Sequence, residues 1–189
     1  MRVEPEVASH LDMFVDGYVP GANFVNAHVA EVKREPGEVW AVIPEAIARF
    51  SSAGPMKFLR CAATAARFEG GCHGKREPEP PTIREGEAVG PCRDPDLFLI
   101  ERIDEGREVV LTGFHRYASY ATNLYLEPVS PELTRVYNVT RARFFDGTSL
   151  GRTYFRAVRL FHDPLVEVGL RRFKLSAESS IQRARQPGQ

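Results

Sequence analysis

Hydrophobic and polar positions alternate most regularly between residues 97 and 145, where the chain takes on a β grammar. Leu97–Ile103 and Arg107–Gly113 are two short strand-like runs separated by Asp104-Glu105-Gly106, a hairpin loop with glycine placed for positive φ. Tyr117–Leu126 forms a third run, expected to stop at Glu127-Pro128-Val129-Ser130-Pro131-Glu132. Leu133–Phe145 forms a fourth, stopped by Asp146-Gly147. Strands that follow one another through short loops pair antiparallel. Earlier in the chain, Asn23–Lys33 alternates Phe24, Asn26, His28, Ala30 and Val32 against Val25, Ala27 and Val29, which predicts one more strand.

Between that first strand and the others the period changes to that of a helix. Val39, Trp40, Ile43 and Ile47 recur at helical spacing after Pro36-Gly37-Glu38, and Pro36 suits a first turn because no partner awaits its missing N–H. Pro44 lies inside this pattern and is expected to kink or split it. After Ser51-Ser52-Ala53-Gly54-Pro55, a second helix is predicted over Met56–Phe68. Five of the 14 prolines and five glycines fall within residues 70–95, so this stretch is predicted as loop, with a short strand over Thr82–Val89. From Leu150 a long amphipathic helix begins and runs past Leu170-Arg171-Arg172. Its inward side is expected to carry Tyr154, Phe155, Val158, Phe161 or His162, Leu165 and Val168.

The resulting order is strand, two short helices, several antiparallel strands, long helix. It resembles the helix-grip fold of the START-domain and Bet v 1-like (SRPBCC) superfamily, an α+β architecture in which a curved antiparallel sheet wraps a long C-terminal helix. Leu150-Gly151-Arg152-x-Tyr154, Phe161-His162-x-x-Leu165-Val166 and Leu170-Arg171-Arg172 are similar to the C-terminal signature of a bacterial family of that superfamily, the DUF2867-type proteins. Thr82–Gly90 is similar to that family's turn, with Glu87 in place of Asp. Where the family has proline before the Phe-His pair, this chain has Leu160, and its proline comes two residues after His162, as Pro164. The resemblance covers residues 82–173 and implies a fold with a cavity between sheet and helix. It implies no particular chemistry.

Length and composition narrow the function classes. With 189 residues the chain makes one domain, expected over residues 22–178, flanked by an N-terminal arm (1–21) and a flexible tail (179–189). Basic and acidic residues balance at 25 each, so no global charge draws the protein to nucleic acid or an anionic membrane. The basic residues Arg152, Arg156, Arg159, Arg171, Arg172 and Lys174 of the last helix form a solvated face. No apolar run reaches the ~18 residues of a membrane span, and residues 1–21 lack the apolar core of a signal peptide, so a cytoplasmic address is expected. The three cysteines, Cys61, Cys72 and Cys92, are expected as free thiols. No metal ion or other cofactor is expected, because Cys72, His73 and Cys92 match no zinc-finger or ribbon spacing.

Candidate site residues lie on the elements that would enclose the cavity. His162 is placed to donate to a ligand or shuttle a proton, or else to bond a strand carbonyl and tie helix to sheet. Tyr120, Tyr125, Tyr137 and Tyr154 each offer an apolar ring with one polar tip, which suits either a cavity wall or ordinary sheet packing. On the fourth strand, Val136, Asn138, Thr140, Ala142 and Phe144 share one face, and Tyr137, Val139, Arg141, Arg143 and Phe145 the other. If Arg141 and Arg143 face solvent, Asn138 and Thr140 point inward; the opposite parity would bury an arginine and imply an anionic ligand. Glu77, Glu79, Glu85 and Glu87 lie in the proline-rich loop as solvated charge, and phosphate-loop, nucleophile-elbow and dinucleotide fingerprints are absent from the sequence.

Two functions fit. The first is binding of a small apolar, lipid-like metabolite, with His115, Tyr120, Asn138, Tyr154, Val158, His162 and Leu165 as the ligand-binding set. The second is a small cyclase- or hydratase-type enzyme in which His162 or His115 acts as acid or base and Tyr154 orients the substrate.

Overall fold

The computed structural model describes residues 1–4, 6, 11–52, 84–86, 88–89, 98–115, 118–145 and 149–184. The helix expected over Met56–Phe68, the three cysteines, His73, Glu77, Glu79 and Glu87 lie outside the described residues. The described elements, in chain order, are β1 (Arg2–Val3), a 3-10 turn (Phe14–Gly17), β2 (Phe24–Val32), α1 (Pro36–Ala41), α2 (Ile43–Ser52), β3 (Ala88–Val89), β4 (Phe98–Asp104), β5 (Glu108–His115), β6 (Ala118–Ser130), β7 (Leu133–Phe144) and α3 (Ser149–Ala184). The strands form one seven-stranded sheet in the order β1-β2-β7-β6-β5-β4-β3. Every neighbouring pair is antiparallel. This is an α+β, helix-grip-like architecture: a curved antiparallel sheet, short helices after the first long strand, and a long C-terminal helix.

Pro36 opens α1, and the helical run splits at Val42, two residues before Pro44. The β4–β5 hairpin turns at Gly106, whose φ of +79° only glycine adopts without strain, and the Arg107 amide donates to the Asp104 carbonyl at 2.9 Å. Gly106→Ala is accordingly expected to cost about 1 kcal/mol, read as a lower urea midpoint at unchanged slope. Strand β6 is longer than its pattern suggested. It continues through Glu127 and Pro128 to Ser130, and the irregularity in pairing between Pro128 and Ser130 accommodates a residue that cannot donate to the ladder.

Alternation gives the sheet two faces, and both are covered. On the inner face Val32, Ile100, Val109, Leu111, Leu126 and Val136 pack with Val39 of α1, Ile43 and Ile47 of α2, and Leu170, Phe173 and Ala177 of α3. A second inner cluster joins Ala118, Ala142 and Phe144 to Phe24, Tyr120, Tyr154, Phe155 and Val158. The outer face carries Ala27, Val110, Ala121, Tyr125, Tyr137 and Val139, and the N-terminal segment covers it with Met13 and Val15. Described parts of residues 1–21 thus join the fold: β1 pairs at the sheet edge, and Val15 is fully buried.

Helix α3 runs 36 residues and passes through Pro164, whose ring removes the donor that would meet the Leu160 carbonyl. It continues to Ala184, so the first part of the segment 179–189 is helical. The inward side differs from the sequence expectation at Val168, and of the alternatives Phe161 and His162 it is His162 that faces inward. Val168 is 50% exposed and Phe161 62% exposed. The stripe at Val166, Leu170, Phe173 and Ala177 takes over beyond His162.

Candidate functional site

Between the two inner clusters the sheet presents a polar strip. Alternation puts Asn26 and His28 of β2 on the inner face, and register sets Asn26 beside Thr140 and His28 beside Asn138 of β7. Thr122 of β6 lies beside Thr140 in turn. These residues bond across the strands. The Thr122 and Thr140 hydroxyls are 2.9 Å apart, and the Asn138 amide donates to Thr122 Oγ1 at 3.0 Å and to the Asn123 carbonyl at 2.6 Å. Arg141, on the opposite parity, pairs with Asp16 at 3.0 Å across the outer face, and Arg143 is exposed. Asn138 and Thr140 thus point inward and no arginine of β7 does.

Helix α3 lowers two adjacent polar side chains onto this strip. Asn26 Nδ2 donates to Asp163 Oδ1 and approaches His162 Nδ1 at 3.5 Å. Both His28 Nε2 and His162 Nδ1 face Asp163 Oδ1 at 3.8 Å. The other carboxylate oxygen, Asp163 Oδ2, accepts from Arg2 Nη1 at 2.9 Å, so β1 reaches the site from the sheet edge. Phe24 packs edge-on against the His162 ring at 5.3 Å, joining the polar group to the aromatic cluster.

Burial sets the electrostatics. His28 is fully buried, and neither of its ring nitrogens has a hydrogen-bond partner among the described residues; Asn26 Oδ1 and Asn138 Oδ1 share that condition. Desolvation lowers the His28 pKa against the opposing pull of Asp163 and Glu167. Desolvation likewise pushes His162 down to about 4, against the attraction of Asp163. Both imidazoles are therefore neutral near pH 7. Burial raises the Tyr154 phenol to about 12, which keeps it a neutral donor.

The sequence-derived candidates do not form one cluster. Asn138 and His162 belong to the polar group just described. Tyr120, Tyr154 and Val158 pack at the aromatic end of the same inner face, with Tyr120 edge-on to Phe98 at 5.4 Å. Tyr125 and Tyr137 lie on the outer face beneath the N-terminal segment, away from these residues. Leu165 is half-buried on α3, and His115 ends β5 opposite Ala118. Sequence reasoning assigned no role to Asn26, His28, Asp163 or Arg2. A signal for two of them was present, since Asn26 and His28 are polar positions on an otherwise apolar strand face.

Among the described residues, no helix is long and apolar enough to cross a membrane. No protein-family model matches the sequence, and no curated protein does. Solved structures with similar backbones include an uncharacterised protein from Rhizobium leguminosarum, 16% identical over 82% of this chain and 95% of that one, with a TM-score of 0.47. Another, from Thermobifida fusca, is 17% identical over 81% of this chain and 92% of that one, with a TM-score of 0.48. A third, from Mycobacterium smegmatis, is 11% identical over 85% and 92%, with a TM-score of 0.45. Likenesses at this level carry no argument about what the present chain does, which rests on its own residues.

Proposed function

We propose that the protein binds a small, mostly apolar molecule between the inner face of the sheet and α3, with one or two polar groups anchored on the central strip. The observation that carries this reading is the group of four buried atoms without partners: Asn26 Oδ1, both His28 nitrogens and Asn138 Oδ1. Buried polar groups in folded proteins are nearly always hydrogen-bonded, and each one left unpaired costs about 1–3 kcal/mol. A ligand carrying a hydroxyl, carbonyl or carboxylate would satisfy several of them together. Phe24, Phe144, Tyr154, Phe155 and Val158 would take its apolar body. The resemblance to START and Bet v 1-like proteins supports the same reading, as it implies a cavity in this place.

The neutral state of His162 suits hydrogen bonding more than acid catalysis near pH 7, which favours binding over a cyclase-type reaction. Val158→Trp tests the proposal, with the apolar fluorophore anilinonaphthalenesulfonate as probe. The expected result is a loss of dye affinity of at least about tenfold with little change in the urea midpoint, because added bulk fills open volume. Unchanged dye binding with a stability loss of about 1–3 kcal/mol, the mark of an overpacked solid core, would overturn it.

A further inference from the structure

We infer that His28, His162 and Asp163 form a binding site for a divalent transition-metal ion of the zinc class, held by two imidazole nitrogens and one carboxylate oxygen. One ligand atom from each of these residues lies within 4.8 Å of the other two, and both imidazoles already face Asp163 Oδ1 at 3.8 Å. Ligand atoms around a tetrahedral ion with bonds of about 2.0–2.1 Å stand roughly 3.3 Å apart. Side-chain adjustments of less than an ångström toward a common centre bring the set to that spacing.

A second observation points the same way. His28 is fully buried, and its Nε2, facing the carboxylate, is too far away for a hydrogen bond and has no other partner among the described residues. A neutral imidazole in that position is a ready metal ligand, whereas a solvent-directed histidine would be satisfied by water. Arg2 holds Asp163 Oδ2, which fixes the carboxylate with Oδ1 aimed at both rings, the role that outer partners play around metal-binding carboxylates. Asn26 Nδ2 now donates to the same Oδ1, so the ion would require this amide to turn, and the turn would bring its unpartnered Oδ1 toward the cation.

Three protein ligands leave a fourth position open, as in zinc sites that bind water or a ligand oxygen. That position would lie on the inner face, beside Asn138 and the aromatic cluster. The expectation of no metal rests on cysteine spacing and does not reach a set assembled by a strand and a distant helix. The metal set also needs no apolar ligand, so dye binding and metal binding can fail separately.

The test is a cobalt(II) titration of the full chain after chelator treatment, followed by zinc(II) displacement. One equivalent is expected to bind with visible d–d absorption and without the near-ultraviolet charge-transfer band of cobalt–thiolate bonds. His162→Gln and Asp163→Asn should each weaken binding by at least about tenfold, with circular dichroism and thermal midpoint reporting that both variants fold. Absence of the d–d band in the wild type, an undiminished band in both variants, or a thiolate band placing the ion on cysteines would overturn the inference.

Discussion

Glu108→Ala is expected to destabilise the protein by about 3–4 kcal/mol and to release the N-terminal segment from the outer face. Glu108 begins β5 and is fully buried, yet its carboxylate faces three donors. The Phe14 amide donates to Oε2 at 2.7 Å, the Val15 amide to Oε1 at 3.2 Å, and Asn123 Nδ2 to Oε1 at 2.7 Å. Asn123 in turn accepts from the Val139 amide at 2.8 Å, so one carboxylate links the 3-10 turn to β5, β6 and β7. Bonds to a charged acceptor contribute about 1.5–3 kcal/mol each, and truncation deprives the Phe14 and Val15 amides of their acceptor and leaves Asn123 Nδ2 only the sulfur of Met13, at 3.4 Å. Water entering the space left by the side chain offsets part of that sum, which is why the expected loss is below the simple total. Glu108→Gln retains the shape but turns one acceptor into a donor facing a donor, for a smaller loss of about 1–2 kcal/mol. Urea unfolding measures both changes, and hydrogen exchange at Phe14 and Val15 measures the release. Exchange at those two amides as slow in Glu108→Ala as in the wild type would show that Met13 and Val15 packing, with the Arg141–Asp16 pair and the Arg107 bond to the Asp12 carbonyl, holds the segment without Glu108.

The contrast between this residue and the hairpin beside it shows which parts of the fold the sequence carries openly. The β4–β5 turn rests on local chemistry, a glycine at positive φ between two alternating runs, and is legible from five or six residues. The split between α1 and α2 is legible for the same reason, because Pro44 limits the backbone around it. Helix α3 announces its start but not its inward side. Pro164 interrupts the hydrogen-bond ladder, and beyond it the buried stripe follows Val166, Leu170 and Phe173, leaving Val168 in solvent. Glu108 gives no local sign, since a charged residue at a strand start ordinarily faces water, and its two backbone donors come from 93 and 94 residues away in the chain. The site is illegible for a related reason. His28 and Asp163 meet only because β2 pairs with β7 in one register and α3 crosses it at one turn. Asn26 and His28 can be read as polar residues on an inward face, but their partner on the helix cannot be read from either segment alone.

Acid is expected to remove about 3 kcal/mol of stability from the metal-free protein between pH 6.5 and pH 4, through His162. In the fold, burial lowers this imidazole to about 4, while in the unfolded chain it returns to the ordinary 6.5. A depressed histidine contributes nothing to pH dependence above 6.5, where folded and unfolded states are both neutral. As pH falls below 6.5 the unfolded chain takes up the proton first, and stability declines until the folded group also protonates near 4. The two titratable groups facing the ring act in opposite senses. Asp163 beside it attracts the proton, while His28, from β2, opposes it. His28 is itself lowered by burial, with Asp163 and Glu167 raising it and the N-terminal ammonium and Arg2 lowering it, so its contribution has the same sign. His162→Gln retains a polar side chain without a titrating ring and should flatten most of the dependence. Urea midpoints for both proteins near neutral pH and at about pH 4.5 supply the comparison. Parallel decline of wild type and His162→Gln would mean that the acid sensitivity lies elsewhere, and that His162 is solvated enough in the fold to keep its ordinary affinity for the proton.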